Sequence, residues 1–315
     1  MKKDETINFN KIRTYPIRER DSTVKIDNFA GKLPAKGASF RSFWEGLPDI
    51  MSTGDLKKVA GSIIKANKRN KPVIFCLGAH VIKNGLNPVV ISLMEKGIIT
   101  AIALNGAGGI HDFETAFIGA TGEDVASGVE NGIFGMVEET GRMMNEAIIS
   151  GVRQGLGAGR ALGEKILRDG FKFREYSILS SGIELGIPVT IHIAIGADTI
   201  HQHPCCDGGS LGEASYIDFQ TFTTGVSKIG NGGVMVNFGS AVIMPEIFLK
   251  ALTISRNLGF PVKNFTVADF EIIPQSGVVS TITQRLTSLG GRGYFIRGDH
   301  ELMMPLLAQA VIENL

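Results

Sequence analysis

The chain has 315 residues, of which 43% are hydrophobic and 20% charged, and this is the composition of a globular protein with enough apolar material for a sizeable core. Its 32 basic and 31 acidic residues nearly cancel. The charge balance therefore gives no sign of binding to nucleic acid or to an anionic membrane, and we expect neither partner.

Three further observations concern localisation. No stretch approaches the roughly 18 consecutive apolar residues of a membrane span. The first residues lack the apolar core of a secretory signal. The three cysteines are too few and odd in number for a disulfide framework. We therefore expect a cytoplasmic protein.

An irregular, polar stretch opens the chain. Residues 1–40 show no periodic pattern, which predicts an arm that packs on the body of the protein or on a neighbour. Residues 41–315 are predicted to form a single domain. Within it, residues 112–187 are helical in character throughout, which predicts a helical insertion.

Short apolar or β-branched runs alternate with helical patterns through this domain. The predicted strands are Val73–Leu77, Ile98–Leu104, Val189–Ile195, Val234–Asn237, Phe265–Ala268 and Tyr294–Ile296. The clearest helical patterns are Asn87–Lys96, Pro245–Asn257 and Asp299–Asn314. This alternation predicts an α/β fold with a doubly wound, mostly parallel six-stranded sheet covered by helices on both faces.

Ligands of such sheets bind at the carboxyl ends of the strands, so the residues after each strand are the candidate site. Gly78 and His80 follow the first strand, and Lys83, Asn84 and Gly85 lead into the next helix. Glycine lets the backbone approach a phosphate, and free N–H groups at a helix start favour an anion. Equally, the two glycines could be turn residues and Lys83 a solvated side chain.

The second predicted strand ends in a glycine-rich turn followed by acids. Residues 105–114 read NGAGGIHDFE, which is a strand–turn–helix pattern without the strict spacing of a dinucleotide fingerprint. Asp112 and Glu114 could stabilise the start of a helix or face the ammonium group of a substrate. Helix stabilisation is the better interpretation for Glu114, and Asp112 is open to both.

Two later strands end in residues that suit a nucleotide. Gly239 and Ser240 are small, and Asp269 and Glu271 offer carboxylates of the kind that bind ribose hydroxyls. The alternative for the two acids is solvation in a loop, and it is stronger for Glu271.

Two other clusters look functional at first sight. Gly155, Gly157 and Gly159, with Gly163 beyond them, follow a helical pattern instead of a strand, so they lack the context of a dinucleotide fingerprint. The HQHPCCD stretch at 201–207 matches no standard zinc spacing, and an ordered active-site loop is the simpler interpretation. We expect no bound metal.

Four segments resemble the deoxyhypusine synthase superfamily. They cover most of residues 72–315 in order, as similarity of pattern and not as identity, and blocks 105–114 and 299–307 are the most specific. The segments read VIFCLGAHVIKNGLNPVVISLMEKGIITAIALNGAGGIHDFETAF, SSGIELGIPVTIHIAIGADTIHQ, NGGVMVNFGSAVIMPEIFLKAL and DHELMMPLLAQAV.

This resemblance implies a Rossmann-like fold that binds NAD, in a homotetramer with sites at subunit interfaces. The family oxidises spermidine with NAD, passes an aminobutyl group through an imine and then reduces the product. Asp112 would match a carboxylate that holds the amine, and Asp198 a polar turn after the third strand. The positions that would contact the cofactor are His80, Asn84, Gly85, Asn105, Gly106, Ala107 and Asp299.

The chain departs from the family at important positions. The family's catalytic lysine precedes the final strand, but here no lysine follows Lys263. His111 replaces a second acid beside Asp112. Synthesis of deoxyhypusine itself is therefore not expected, although Lys83 could substitute, or an acceptor amine could attack the oxidised substrate directly.

The sequence thus predicts an NAD-dependent, transferase-like enzyme that acts on a polyamine or small amine through an oxidised imine. His111, as proton acceptor, Asp112 and Lys83 are the predicted catalytic residues, although His111 could merely cap its turn. Asp112, Glu114, Asp198 and Glu271 are predicted to hold the amine. Gly78, Gly239, Ser240 and Asp269 complete the predicted cofactor site. NAD is favoured over NADP because no basic cluster lies near Asp269.

Three alternatives stay open. Residues 111–116 also resemble an ornithine-cyclodeaminase-like enzyme, whose carboxylate-bearing substrate would require an arginine such as Arg292 or Arg297. A non-catalytic protein that binds NAD or an amine would have kept the fold after losing the lysine. An assembly protein with purely structural glycines would bind no nucleotide.

Overall fold

Six parallel strands form one sheet in the computed structural model, which describes residues 7–273, 277, 279 and 281–315. The strands are β1 (Val73–Leu77), β2 (Ala101–Asn105), β3 (Val189–His192), β4 (Val234–Phe238), β5 (Thr266–Glu271) and β6 (Arg292–Arg297). Their order is β3-β2-β1-β4-β5-β6, and every pairing is parallel. The predicted Rossmann-like, doubly wound α/β fold is confirmed.

Helices surround the sheet. They are α1 (Phe40–Gly46), α2 (Met51–Lys68), α3 (Ala79–Lys83), α4 (Asn87–Glu95), α5 (Gly106–Ile118), α6 (Val125–Glu130), α7 (Glu138–Val152), α8 (Ala158–Arg168), α9 (Ile178–Leu185), α10 (Gly208–Val226), α11 (Ile243–Asn257) and α12 (His300–Ile312). Within the described residues, no helix is both long and apolar enough to cross a membrane.

The apolar core has two parts, one on each face of the sheet. Alternate residues of a strand point to opposite faces. Phe75 and Leu77 of β1 accordingly pack in a cluster with α2, α4 and α12, whereas Ile74 and Cys76 pack with α10 and α11. Burial on both faces explains why β1 and β4 are almost continuously apolar in sequence.

Every predicted strand after the first has different limits in the structure, by up to three residues at one end. The second begins at Ala101 and not at Ile98, because the backbone N–H groups of Ile98 and Ile99 bond to Leu93 at the end of α4. The third ends at His192 instead of Ile195. The buried Ile98 and Ile99 before β2, and the apolar Ile193 and Ile195 after β3, gave the same sequence pattern as strand residues.

The edge strand β3 is covered by α10. Asp218 accepts a hydrogen bond from the backbone N–H of Ile191 at 2.8 Å, and Ser215 accepts one from Ile193 at 3.1 Å. The same carboxylate accepts from Gly159 at the start of α8 at 2.9 Å. These bonds occupy donors that an open sheet edge would present to another chain.

Candidate functional site

The order of the strands reverses between β1 and β4, and two glycines meet at this switch point. The N–H of Gly78 donates to Phe238 at 2.8 Å. A Cβ added to Gly78 would lie 1.8 Å from the carbonyl oxygen of Gly239, which no side chain tolerates. Gly239 itself has a φ of +68°. The structure thus brings together the predicted residues Gly78, Gly239 and Ser240 at the switch point, where the topology of a doubly wound sheet predicts a ligand-binding crevice.

A buried amide and a buried carboxylate lie beside this crevice. Nδ2 of Asn237 donates to Oδ1 of Asp269 at 2.6 Å and to the carbonyl of Ser240 at 3.0 Å. Burial raises the pKa of Asp269 to about 6, against the opposing effect of the Asn237 hydrogen bond. Neither Oδ1 of Asn237 nor Oδ2 of Asp269 has a partner among the described residues.

Glu271 is a second acid on the same face of β5. Burial, and then the charge of Asp269, raise the pKa of Glu271 to about 7. Its Oε1 also has no partner within the part of the chain that the structure describes. Two carboxylates that repel each other in a poorly solvated place are expected to attract a cation.

His300 lies at the same edge of the sheet but on the face opposite to Asn237 and Asp269, and no sequence pattern indicated it. It begins α12, is almost fully buried and packs its edge against Phe238, which stacks on Phe270. Burial, followed by the neighbouring His80, lowers the pKa of His300, so the ring is neutral near pH 7. Its Nδ1 lacks a partner in the described residues. A strand–turn–helix pattern does not show burial. It therefore indicated the exposed Asp299 and not the buried His300 that follows it.

The other predicted cofactor residues of this edge lie on α3 and at the start of α12. His80 and Lys83 are exposed, and Gly85 has a φ of +71° in open space. Asn84 donates to Glu301 of α12 at 3.0 Å. The remaining cofactor candidate, Asp299, is the exposed residue just before α12.

The residues after β2 form a separate group. Asn105 caps α5 by accepting a bond from the N–H of Gly108 at 2.8 Å. Asp198 is buried over the same helix start, where a Cβ on Gly106 would lie 1.9 Å from its carboxylate. Burial raises the pKa of Asp198, against lowering contributions from Ala194, His201 and Ala107. The start of α5 is thus already supplied with a carboxylate, and the predicted role of Asp198 in binding substrate stays a prediction.

Asp112 lies in the interior and holds α9. Its carboxylate accepts hydrogen bonds from the side chains of Asn87 (2.9 Å) and Ser177 (2.6 Å) and from the backbone of Ile178 (2.8 Å) and Leu179 (3.1 Å). Burial raises the pKa of Asp112 to about 6, while these four donors lower it. Its catalytic and amine-binding roles stay predictions.

His111 and Glu114 form a third group, away from the crevice. Nδ1 of His111 lies 2.6 Å from the hydroxyl of Thr121, which donates to Glu114 at 2.5 Å, and Thr140 donates to the same carboxylate at 3.0 Å. Burial raises the pKa of Glu114, but the bonds from His111, Thr121 and Thr140 outweigh it and leave the pKa below the ordinary value. The structure therefore does not bring His111 together with Asp269, Glu271 or His300.

The two misleading clusters have structural explanations. The glycine run follows α7, and a Cβ on Gly159 would lie 2.0 Å from the carbonyl of Val189, so the run allows α8 to pack closely on β3. A cavity of about 450 Å³ beside it lies at the amino end of β3, away from the crevice. His203 lies 2.9 Å from the carbonyl of Gly135. Among the described residues, no group of three or more potential ligands could hold a metal.

No protein-family model matches the chain, and no curated protein matches it in sequence. Several solved structures are similar to it in fold. A conserved protein assigned as LOR/SDH from Methanococcus maripaludis S2 has 17% identity and a TM-score of 0.53, over 84% of this chain and 71% of that one. AgrE, in a ternary complex with ornithine and NAD+, has 15% identity and a TM-score of 0.53, over 88% of this chain and 34% of AgrE.

A protein assigned as a deoxyhypusine synthase from Entamoeba histolytica has 12% identity and a TM-score of 0.50, over 88% of this chain and 94% of that one. These likenesses show the fold. The resemblance to deoxyhypusine synthases therefore holds for the fold, and the chain spans only about a third of AgrE.

Proposed function

We propose that this protein is an NAD-dependent enzyme that oxidises a small amine or polyamine to an imine, which is transferred to an acceptor and reduced, but not a deoxyhypusine synthase proper. One observation carries the proposal. Four polar side chains at the carboxyl edge of the sheet each have a buried atom without a partner among the described residues: Asn237, Asp269, Glu271 and His300. Buried polar atoms rarely lack partners, and a bound ligand would supply them.

The acid pair fits an ammonium group. Burial disfavours the charged forms of Asp269 and Glu271 and raises their pKa values to about 6 and 7, and the charge of Asp269 adds to the effect on Glu271. An ammonium group between them would lower both pKa values and satisfy both unpaired oxygens. In a diamine or polyamine, this would hold one amino group while another reacts.

The crevice fits a dinucleotide. Gly78 and Gly239 let the turns after β1 and β4 pack closely together at the switch point, with Ser240 beside them, and His80 and Asn84 follow on α3 and at its end. Bound NAD would supply the hydride acceptor that converts an amine to an imine. The AgrE neighbour, solved with ornithine and NAD+, supports the same class of cofactor.

His300 is the proposed proton acceptor in place of His111. A nitrogen that becomes an imine must lose a proton, and a neutral buried imidazole with a free nitrogen can take it. With His300 accepting the proton, an acceptor amine could attack the oxidised substrate directly, and this route needs no lysine.

A second candidate is an ornithine-cyclodeaminase-like enzyme acting on an amino acid. Arg297 pairs in register with Glu271 at the carboxyl end of β6, so a cation for a substrate carboxylate lies next to the acid pair. Arg292 begins the same strand at the opposite end of the sheet and does not suit this role.

The test combines calorimetry with product analysis. Purified protein is titrated with NAD and then incubated with spermidine, putrescine, ornithine and lysine, and mass spectrometry detects products even when NADH is consumed again. New amine products that disappear in Glu271→Gln and His300→Gln, but persist in the surface control Glu184→Gln, would support the proposal. Products from ornithine alone, lost in Arg297→Gln, would favour the second candidate. NAD binding without any product would instead indicate a non-catalytic binding protein.

A further inference from the structure

The arm, defined here as residues 7–39, exposes an unusual amount of apolar surface. None of its residues is buried. Nine large apolar side chains are between 49% and 87% exposed: Ile7, Phe9, Ile12, Tyr15, Ile17, Val24, Ile26, Phe29 and Leu33. Scattered apolar residues on a surface are normal, but nine within 27 positions indicate a surface that is covered in use.

The arm makes few hydrogen bonds to the rest of the described chain. Its backbone joins the rest of the chain through bonds between Gly31 and Gly46 (2.9 Å) and between Asp49 and Asn28 (3.1 Å). Within the described residues, the hydrogen bonds of residues 7–27 all join them to other residues of the arm. The large apolar side chains of the arm before residue 28 are at least 49% exposed.

The arm is also cationic. It holds seven Lys or Arg residues against three Asp or Glu, a net charge of +4 in a chain whose total is only +1. A partner for it needs apolar side chains together with negative charge.

A second surface, in the described part of the chain, has both properties. Residues 118–139, here called the acidic segment, contain five Asp or Glu and no Lys or Arg. Six of the large apolar side chains in this segment are between 42% and 62% exposed: Ile118, Val125, Val129, Ile133, Met136 and Val137. The segment is itself held in place, because Glu123 accepts from the N–H of Gly135 at 3.0 Å and Asp124 caps α6.

We propose that the arm of one copy of this chain docks on the acidic segment of a second copy. The occupant follows from charge complementarity of +4 against −5 and from exposed apolar side chains on both surfaces. Reciprocal docking of two arms is self-complementary, as expected of a symmetric dimer. Apolar burial would supply the affinity, and the opposite charges would select this surface over others.

Two charge-reversal variants test this pairing. The first carries Lys11→Glu, Arg13→Glu and Arg18→Glu, which change the arm from +4 to −2; the second carries Glu130→Lys, Glu138→Lys and Glu139→Lys, which change the acidic segment from −5 to +1. A control carries Arg153→Glu, Lys172→Glu and Lys228→Glu, three exposed residues outside both surfaces. Circular dichroism and thermal melts establish that all are folded.

Sedimentation velocity over a range of concentrations measures self-association. We expect the wild type and the control to associate, each reversal variant alone to have a dimer Kd raised by about tenfold or more, and an equimolar mixture of the two variants to associate again. The mixture decides the matter, because an arm folded back on its own chain gains nothing from a second variant.

Three results would overturn the proposal. They are a wild type that stays monomeric at every concentration, reversal variants that associate as tightly as the control, and a mixture no tighter than its separate components. A vesicle-pelleting assay covers the other occupant that a cationic apolar arm could have. Arm-dependent binding to phosphatidylserine vesicles in a protein that does not self-associate would replace the second copy with a membrane surface.

Discussion

The side-chain nitrogen of Asn237 lies 2.6 Å from a carboxylate oxygen of Asp269, across neighbouring strands at the carboxyl edge of the sheet. This bond fixes one oxygen of Asp269 and leaves the other without a partner among the described residues. A carboxylate held in this way has a defined direction and an unused acceptor. It is therefore prepared to bind a donor that arrives with the substrate.

Replacing Asp269 with Asn tests this arrangement at nearly constant volume. Loss of the negative charge removes a charge-assisted hydrogen bond to the amine, so we expect the amine Kd to rise by about 10- to 100-fold. NAD affinity, measured by calorimetry in the same variant, serves as the control for folding and should change little. An unchanged amine Kd would contradict the proposed position of the substrate.

The raised pKa values predict a pH dependence of amine binding. Asp269 and Glu271 have pKa values of about 6 and 7, so they are largely protonated at pH 5 and ionised at pH 8. Only the ionised pair attracts an ammonium group, and amine affinity should therefore rise between pH 5 and pH 8. Calorimetry across this range measures the effect, and Glu271→Gln should flatten the upper half of the curve.

The same shifts have the opposite consequence for stability without ligand. The folded pKa of Glu271 lies above the value of about 4.3 for an unfolded glutamate, so the folded chain binds the proton more tightly. Its contribution to stability is thus present below about pH 4 and is lost as the pH rises through 7. The thermal midpoints of wild type and Glu271→Gln, measured between pH 5 and pH 8, check this linkage. If the midpoint changes with pH by the same amount in both proteins, Glu271 makes no such contribution.

Much of the fold could be predicted from the sequence because its causes are local. β1 and β4 are buried on both faces, and their runs of apolar residues show this directly. The functional site was harder to predict from the sequence, because its residues are held by partners that are distant in the sequence. Asp112 bonds to Asn87 and Ser177, 25 and 65 residues away, and no local pattern distinguishes such a structural carboxylate from one that binds a ligand. His300 was missed for the same reason, since only the packed structure shows its burial.

The structural role of Asp112 leads to a prediction of its own. Asp112→Ala leaves two buried backbone N–H groups, a hydroxyl and an amide without their acceptor. We expect the free energy of unfolding to fall by at least about 3 kcal/mol, measured by urea denaturation. The conservative Asp112→Asn keeps one acceptor oxygen and should lose less. A loss below about 1 kcal/mol in Asp112→Ala would contradict the role described for this carboxylate.

Gly239 and Gly85 together separate backbone strain from loss of space in the crevice. Both have positive φ, at +68° and +71°, so an added Cβ costs each of them about 1 kcal/mol through backbone conformation alone. The Cβ of Gly85→Ala would enter open space, whereas that of Gly239→Ala would lie 2.9 Å from Nε2 of His300. We therefore expect a larger loss of stability in Gly239→Ala than in Gly85→Ala, and a Kd for NAD raised by about tenfold or more only in Gly239→Ala. Equal effects of both substitutions on NAD affinity would mean that the cofactor does not lie in the crevice between β1 and β4, and the acid pair and His300 would then need another explanation.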